Sequence, residues 1–186
     1  VLGATCTLAA TPNSLLGQTW DGGGADNNWT TGINWNPDGA PANNGNATII
    51  FGGTTRLTPN VNVAQDILSL VFDPSAGSFS ILGAPNALTI GSGGITNNST
   101  IGKGIGVPLV LSAAQTWSSV SGGLSIGGSG IPITSNVALT IDTNNFVVIG
   151  SPISGSGSLT KTGAATLALS GANSYTGVTT INAGHL

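Results

Sequence analysis

Short apolar triplets separated by glycine, serine and asparagine dominate the chain from residue 54 onward. They are Leu70-Val71-Phe72, Leu88-Thr89-Ile90, Leu109-Val110-Leu111, Leu124-Ser125-Ile126, Leu139-Thr140-Ile141, Leu167-Ala168-Leu169 and Thr179-Thr180-Ile181. Successive side chains of an extended strand point to opposite sides, so the first and third residues of a triplet can enter a core while the middle one faces out. A three-residue strand cannot bury such a face alone. Stacked on further strands of its kind, it builds a continuous core and satisfies its backbone groups along the stack. The triplets begin 12 to 28 residues apart, an irregular repeat whose intervening glycines supply turns.

The expectation is therefore an all-β fold, and within it a parallel β-solenoid. A β-sandwich is the competing architecture, because short strands with regular turn signals describe it too. Against the sandwich, the hairpin signals Asp38-Gly39 and Asn44-Gly45 both lie upstream of the triplets.

Charge narrows the partners. Only 5% of the 186 residues are charged, against about 25% in ordinary soluble domains, so the surface must be built from Ser, Thr, Asn and Gly. With net charge −3 and three basic residues, Arg56, Lys103 and Lys161, the chain has no phosphate-neutralising surface, which excludes nucleic acid. Cys6 is the single cysteine, so neither an intrachain disulfide nor a cysteine zinc cluster is available. No uninterrupted apolar run of about 18 residues is present, so no transmembrane segment is expected within this chain.

Three regions follow. Residues 1–17 are apolar and rich in small residues, as in the remnant of a signal peptide whose basic start is missing; cleavage after Ala10 or Gly17 fits the small-residue rule. Residues 18–53 hold three of the four Trp and three of the six Asp, and form a Trp-, Asn- and Gly-rich amino-terminal cap. Residues 54–186 are solenoid repeats.

The closing stretch, GSGSLTKTGAATLALSGANSYTGVTTINAGHL at 155–186, resembles the autotransporter-associated β-strand repeat, the passenger-type repeat of bacterial surface and secreted proteins. Gly155, Gly163, Leu167, Leu169, Gly171 and Ile181 fall on its recurring scaffold positions, whereas Ala165, Val178 and His185 depart from it. The segment TWDGGGADNNWTTGINW is similar to the opening often found before such repeats. The resemblance implies a right-handed parallel β-helix, exported to the cell surface or the medium and associated with the outer membrane, with Leu186 as a truncation point before later repeats. It implies a structural or adhesive role and no catalytic mechanism.

Candidate sites are few. Trp20, Trp29 and Trp35 offer stacking faces for sugar rings, with Asn28, Asn34 and Asn36 beside them; alternatively they cover the open end of the solenoid. Trp117 reads as a core residue of one coil. Asp21, Asp26, Asn27 and Asn28 carry calcium-type oxygens, but their spacing departs from a calcium loop and Asx-turns account for them. For hydrolysis, Asp66, Asp73 and Asp142 are the only carboxylates in the solenoid region, and Glu is absent. His185 is the sole histidine, without a G-x-S-x-G elbow. The strings GSGG and GGSG lack the Lys-Ser/Thr of a phosphate loop. The chain is accordingly expected to be no enzyme and to need neither cofactor nor metal, with extracellular glycans or other surface proteins as partners.

Overall fold

The computed structural model describes residues 17–128 and 130–186. Residues 1–16, which carry most of the signal-remnant segment, lie outside the described residues. The strands are β1 (Gln18–Trp20), β2 (Trp35–Asn36), β3 (Thr48–Phe51), β4 (Gln65–Phe72), β5 (Ser80–Ile81) and β6 (Leu88–Asn97). They continue as β7 (Lys103–Ile105), β8 (Leu109–Leu111), β9 (Gln115–Ser119), β10 (Leu124–Ile126), β11 (Ile133–Ser135) and β12 (Leu139–Thr143). The last are β13 (Val147–Ile149), β14 (Ile153–Ser154), β15 (Leu159–Thr162), β16 (Leu167–Leu169) and β17 (Thr179–Ile181). Among the described residues, one 3-10 turn at Gly32–Asn34 is the only helical element.

β1 and β2 pair antiparallel; the other strand pairs are parallel. The chain winds as a parallel β-solenoid of about 6 turns. Parallel partners separated by a full coil are incompatible with the antiparallel sheets of a sandwich, so that alternative is set aside.

Each full coil visits three stacks of strands. The first stack runs β1, β3, the second half of β4, the second half of β6, β9, β12, β15 and β17. The second stack is β5, β7, β10, β13 and β16. The third contains the first halves of β4 and β6, then β8, β11 and β14. β4 and β6 continue from the third stack into the first, with a register shift between Ile67 and Ser69. Three stacks explain the unequal triplet intervals. Leu88 and Leu109 belong to the third stack, Leu124 and Leu167 to the second, and Leu70, Leu139 and Thr179 to the first.

The true repeat emerges within a stack. Ile49 stands opposite Leu70, Leu70 opposite Ile95, Ile95 opposite Trp117, Trp117 opposite Ile141, Ile141 opposite Lys161, and Lys161 opposite Ile181. From Ile49 onward a coil thus takes about 20 to 25 residues. In the second stack Ile81, Ile105, Ile126 and Ile149 form a buried ladder. In the third, Leu88, Leu109, Ile133 and Ile153 do the same. Full burial of each such side chain is worth about 1.5–3 kcal/mol before the entropy of ordering it is counted.

Turns tighten where coils touch. Gly163 has φ +73°, and a Cβ there would lie 2.3 Å from the carbonyl oxygen of Thr143 in the preceding coil. At Gly128, by contrast, a Cβ would have no neighbour within 4 Å. Gly163→Ala is therefore expected to cost about 1–3 kcal/mol through strain at a left-handed position, while Gly128→Ala leaves stability unchanged. Thermal unfolding followed by circular dichroism checks both; equal melting temperatures for the two variants would contradict the assigned packing.

Candidate functional site

Trp20 and Trp35 are cross-strand partners at the β1–β2 end of the first stack, and Trp20 also stands opposite Phe51. Trp20, Trp29 and Trp35 are at most 1% exposed. Trp35 meets Trp20 edge-on at 5.1 Å and 84°, and Trp29 at 5.5 Å and 85°. Its Nε1 donates to the carbonyl of Trp29 at 2.8 Å. Phe51 lies 6.1 Å from Trp35 and stacks on Phe72 at 5.6 Å, which carries the aromatic packing into the next coil. No indole face is open to a sugar ring, so the sugar-stacking expectation for Trp20, Trp29 and Trp35 gives way to a packing role. The reason is geometric: T-shaped contacts between large rings are favourable in themselves and remove their area from water together. Trp117 is likewise buried within the first-stack ladder.

The neighbouring loop is organised by its own acid and amide groups. Asp26 accepts from the backbone N–H of Asn28 at 3.0 Å, from Thr31 Oγ1 at 3.0 Å and from the Asn28 and Asn34 amides. These donors, the Asn28 backbone first, hold its carboxyl below the ordinary carboxylate value. Asp21 accepts from the N–H of Gly23 at 2.9 Å. These are Asx-turn contacts, and the carboxylate oxygens serve the loop itself. Among the described residues no three His, Cys, Asp or Glu side chains gather as metal ligands.

The three cations turn inward. Arg56, half-buried with φ 46°, donates from Nε to the Gly22 carbonyl at 2.9 Å and from Nη1 to Asn27. Lys103 is buried; its Nζ donates to the carbonyls of Ile101 at 2.7 Å and Ala76 at 3.0 Å, and lies 5.7 Å from the Phe72 ring centroid. Burial pushes the Lys103 ammonium down to about 8, with Asp73 opposing. Lys161 is buried too, donating to Thr162 O, to Gly163 O at 2.7 Å and to Ala183 O of the following coil at 3.3 Å. Burial lowers it as well, with Asp142 opposing. Each of the three cations is thus held by its own set of acceptors. The exposed acidic side chains are Asp21, Asp26, Asp38 and Asp142.

The outer side of the first stack is hydroxyl-rich. Thr116, Thr140, Thr160 and Thr180 stand in register on successive coils, and beside them Thr96, Ser118, Asp142 and Thr162 form a second ladder. A shallow groove of about 350 Å³ crosses these ladders, lined chiefly by Ser92, Gly93, Thr96, Thr116, Ser118 and Thr140. Its relief comes from the glycine run in β6: Gly94 has φ +62°, and a Cβ there would meet the Thr116 carbonyl at 2.1 Å. The triplets place Thr140 and Thr180 at outward positions and do not include Thr116 or Thr160. Their signal was present, since Thr140, Thr160 and Thr180 recur at the coil length. Asp66 is at the start of β4, Asp73 follows its end, and Asp142 lies three strands farther along the stack. His185 is exposed near the final coil, where its carbonyl accepts from the N–H of Leu167.

The passenger-associated-transport-repeat family model matches residues 159–186, from β15 through β17. This segment is similar to a passenger-type repeat. Inside it, Lys161 serves as a buried donor rather than a surface charge, and Leu167 as a core residue. No curated protein and no solved structure matches the chain. No helix among the described residues is long and apolar enough to cross a membrane.

Two measurements follow from this geometry. Trp35→Ala removes the ring that both other indoles contact, and an equilibrium urea titration is expected to show a loss of about 3–5 kcal/mol; a change below about 1 kcal/mol would mean the indoles do not pack as described. For Lys103, the folded state releases its proton near pH 8, below the ordinary lysine value of 10.5. Between those values the unfolded chain holds more protons, so stability rises with pH across the window. Lys103→Met is expected to flatten that rise, and Lys103→Met/Lys161→Met to flatten it further, in urea titrations at successive pH values.

Proposed function

We propose that this chain is a non-enzymatic structural and adhesive module displayed outside a bacterial cell, by secretion or at the outer membrane. The observation that carries the reading is the passenger-type repeat at 159–186 continuing a parallel solenoid whose coils already stack in register. A solenoid of this kind is stiff along its axis because each coil is held by its neighbours, which suits spacing and presentation.

The electrostatics support the same role. With Arg56, Lys103 and Lys161 committed to internal carbonyl and amide acceptors, the exterior offers neutral hydroxyls and amides together with carboxylates. Such a surface stays soluble and resists non-specific adsorption to phosphate-rich or uronate-rich polymers. The carboxylate placement favours a non-catalytic reading. Three strand spacings separate the Asp142 strand from that of Asp66 and Asp73 by roughly 14 Å, more than the ~5–9.5 Å that glycoside hydrolysis uses.

Antibodies raised against residues 17–186, applied to intact and to lysed cells of the producing bacterium, test the display. Labelling of intact cells that is abolished by external protease is the expected result. Labelling confined to lysed cells would overturn it.

A further inference from the structure

We infer that the groove on the outer side of the first stack binds a neutral polysaccharide chain lying along the stack across β6, β9 and β12. This deepens the adhesive part of the proposed function and rests on that reading for its biological setting.

Three observations converge on this ligand class. The first is the chemistry of the lining: Ser92, Thr96, Thr116, Ser118 and Thr140 present hydroxyls, of which Ser118 donates to Thr96 at 3.3 Å while Ser92, Thr116 and Thr140 can each donate and accept. A polymer that repeats hydroxyl groups along its length matches such a lining without any charge being desolvated. The second is repetition. The threonine ladder continues beyond the groove through Thr160 and Thr180, placing hydroxyls at about 4.8 Å intervals from coil to coil and about 7 Å from the adjacent ladder. Single contacts of this type are each worth only about 0.5–1.5 kcal/mol, and a repeating ligand gains by engaging several at once. The third is charge. Asp142 stands in the second ladder, between Ser118 and Thr162, and the nearest lysine in that stack, Lys161, is buried against carbonyls. An acidic polysaccharide would meet a carboxylate and no free cation, so complementarity selects a neutral one.

The lining also separates this occupant from a protein. A partner peptide needs apolar pockets for its side chains, whereas here Ala114 and Ala138 contribute single methyl groups beside the hydroxyls. The relief comes from the glycine-rich bulge of β6, which exposes Ser92 at the groove margin.

Affinity electrophoresis of the 186-residue chain in gels containing dextran, mannan or hydroxyethylcellulose, with alginate and polygalacturonate as acidic comparisons, tests the inference. At least one neutral polymer should retard the protein and the acidic ones should not. Thr116→Val/Thr140→Val, which keeps the β-branched shape and removes two hydroxyls, should weaken retardation about tenfold, and Thr116→Ser/Thr140→Ser should retain it. Ser92→Tyr, placed on the exposed bulge away from the core, should block the groove in a chain that keeps the wild-type melting temperature. The inference is overturned if no neutral polymer retards the chain, if the acidic polymers retard it equally, or if both the valine pair and Ser92→Tyr bind as wild type does. Retardation and surface labelling are independent readouts: labelled intact cells with no retardation remove the groove alone, and retardation without labelling removes display alone.

Discussion

The solenoid depends on hydrogen bonds that close the turn from the first stack to the second. At each such turn backbone carbonyls face an interior from which water is excluded, and an unpaired one costs about 1–3 kcal/mol. Buried side chains supply the missing donors coil by coil. Ser99 Oγ and Lys103 Nζ reach Ala76 O at 2.7 and 3.0 Å, and Asn97 Nδ2 reaches Gly122 O at 3.0 Å. Ser119 and Thr143 close the next turns onto Gly122 O and Asn145 O, and Lys161 closes the last onto Gly163 O and Ala183 O. The aliphatic ladders drive the coils together, but they cannot turn the chain. Asn97, Ser119 and Thr143 stand in register with Phe72 on one ladder, so aromatic packing at the amino-terminal end passes into polar pinning farther along.

This constraint shapes the exterior as well. Lys103 and Lys161 carry two of the three positive charges, and both are drawn inside as donors to backbone carbonyls; Arg56 donates likewise to the Gly22 carbonyl and the Asn27 side-chain oxygen. A long flexible ammonium is well suited to reach several carbonyls at once, because it has three donors and no acceptor to leave unpaired. The burial that depresses both lysines is the other side of that use. What remains outside is neutral or acidic, which links a requirement of the backbone to the kind of polymer the surface accepts.

Much of the fold was legible in the sequence because period-two patterning acts locally. Leu88, Ile90, Leu124, Ile126, Leu139 and Ile141 are all inward and buried, while Thr89, Ser125 and Thr140 point out, as the triplets require. The number of stacks was not legible, since three stacks with unequal turns scramble the triplet intervals, and the pairing of Leu70 with Ile95 and of Ile95 with Trp117 sets the coil. Trp20, Trp29 and Trp35 were ambiguous for a different reason. An indole in a polar loop has the same composition whether it stacks on a ligand or on another indole, and only the contacts distinguish the two. Lys161 and Lys103 entered the sequence reading only as members of a sparse basic set, because nothing in a residue type announces an inward register. Their positions, opposite Ile141 and Leu124 in the ladders, are what make them structural.

The outward threonines show how a scaffold can acquire a binding face without disturbing itself. Thr is favoured on a strand for its branched β-carbon, so a ladder of Thr116, Thr140, Thr160 and Thr180 supports the stack through shape alone. The hydroxyl is then free chemistry on a position already selected for conformation. The glycine run in β6 adds the relief, because Gly94 adopts a left-handed φ so close to the Thr116 carbonyl that a side chain is sterically forbidden. Replacing hydroxyls by isosteric methyls separates the two contributions: the stack should keep its stability, and whatever depends on the hydroxyls should be lost.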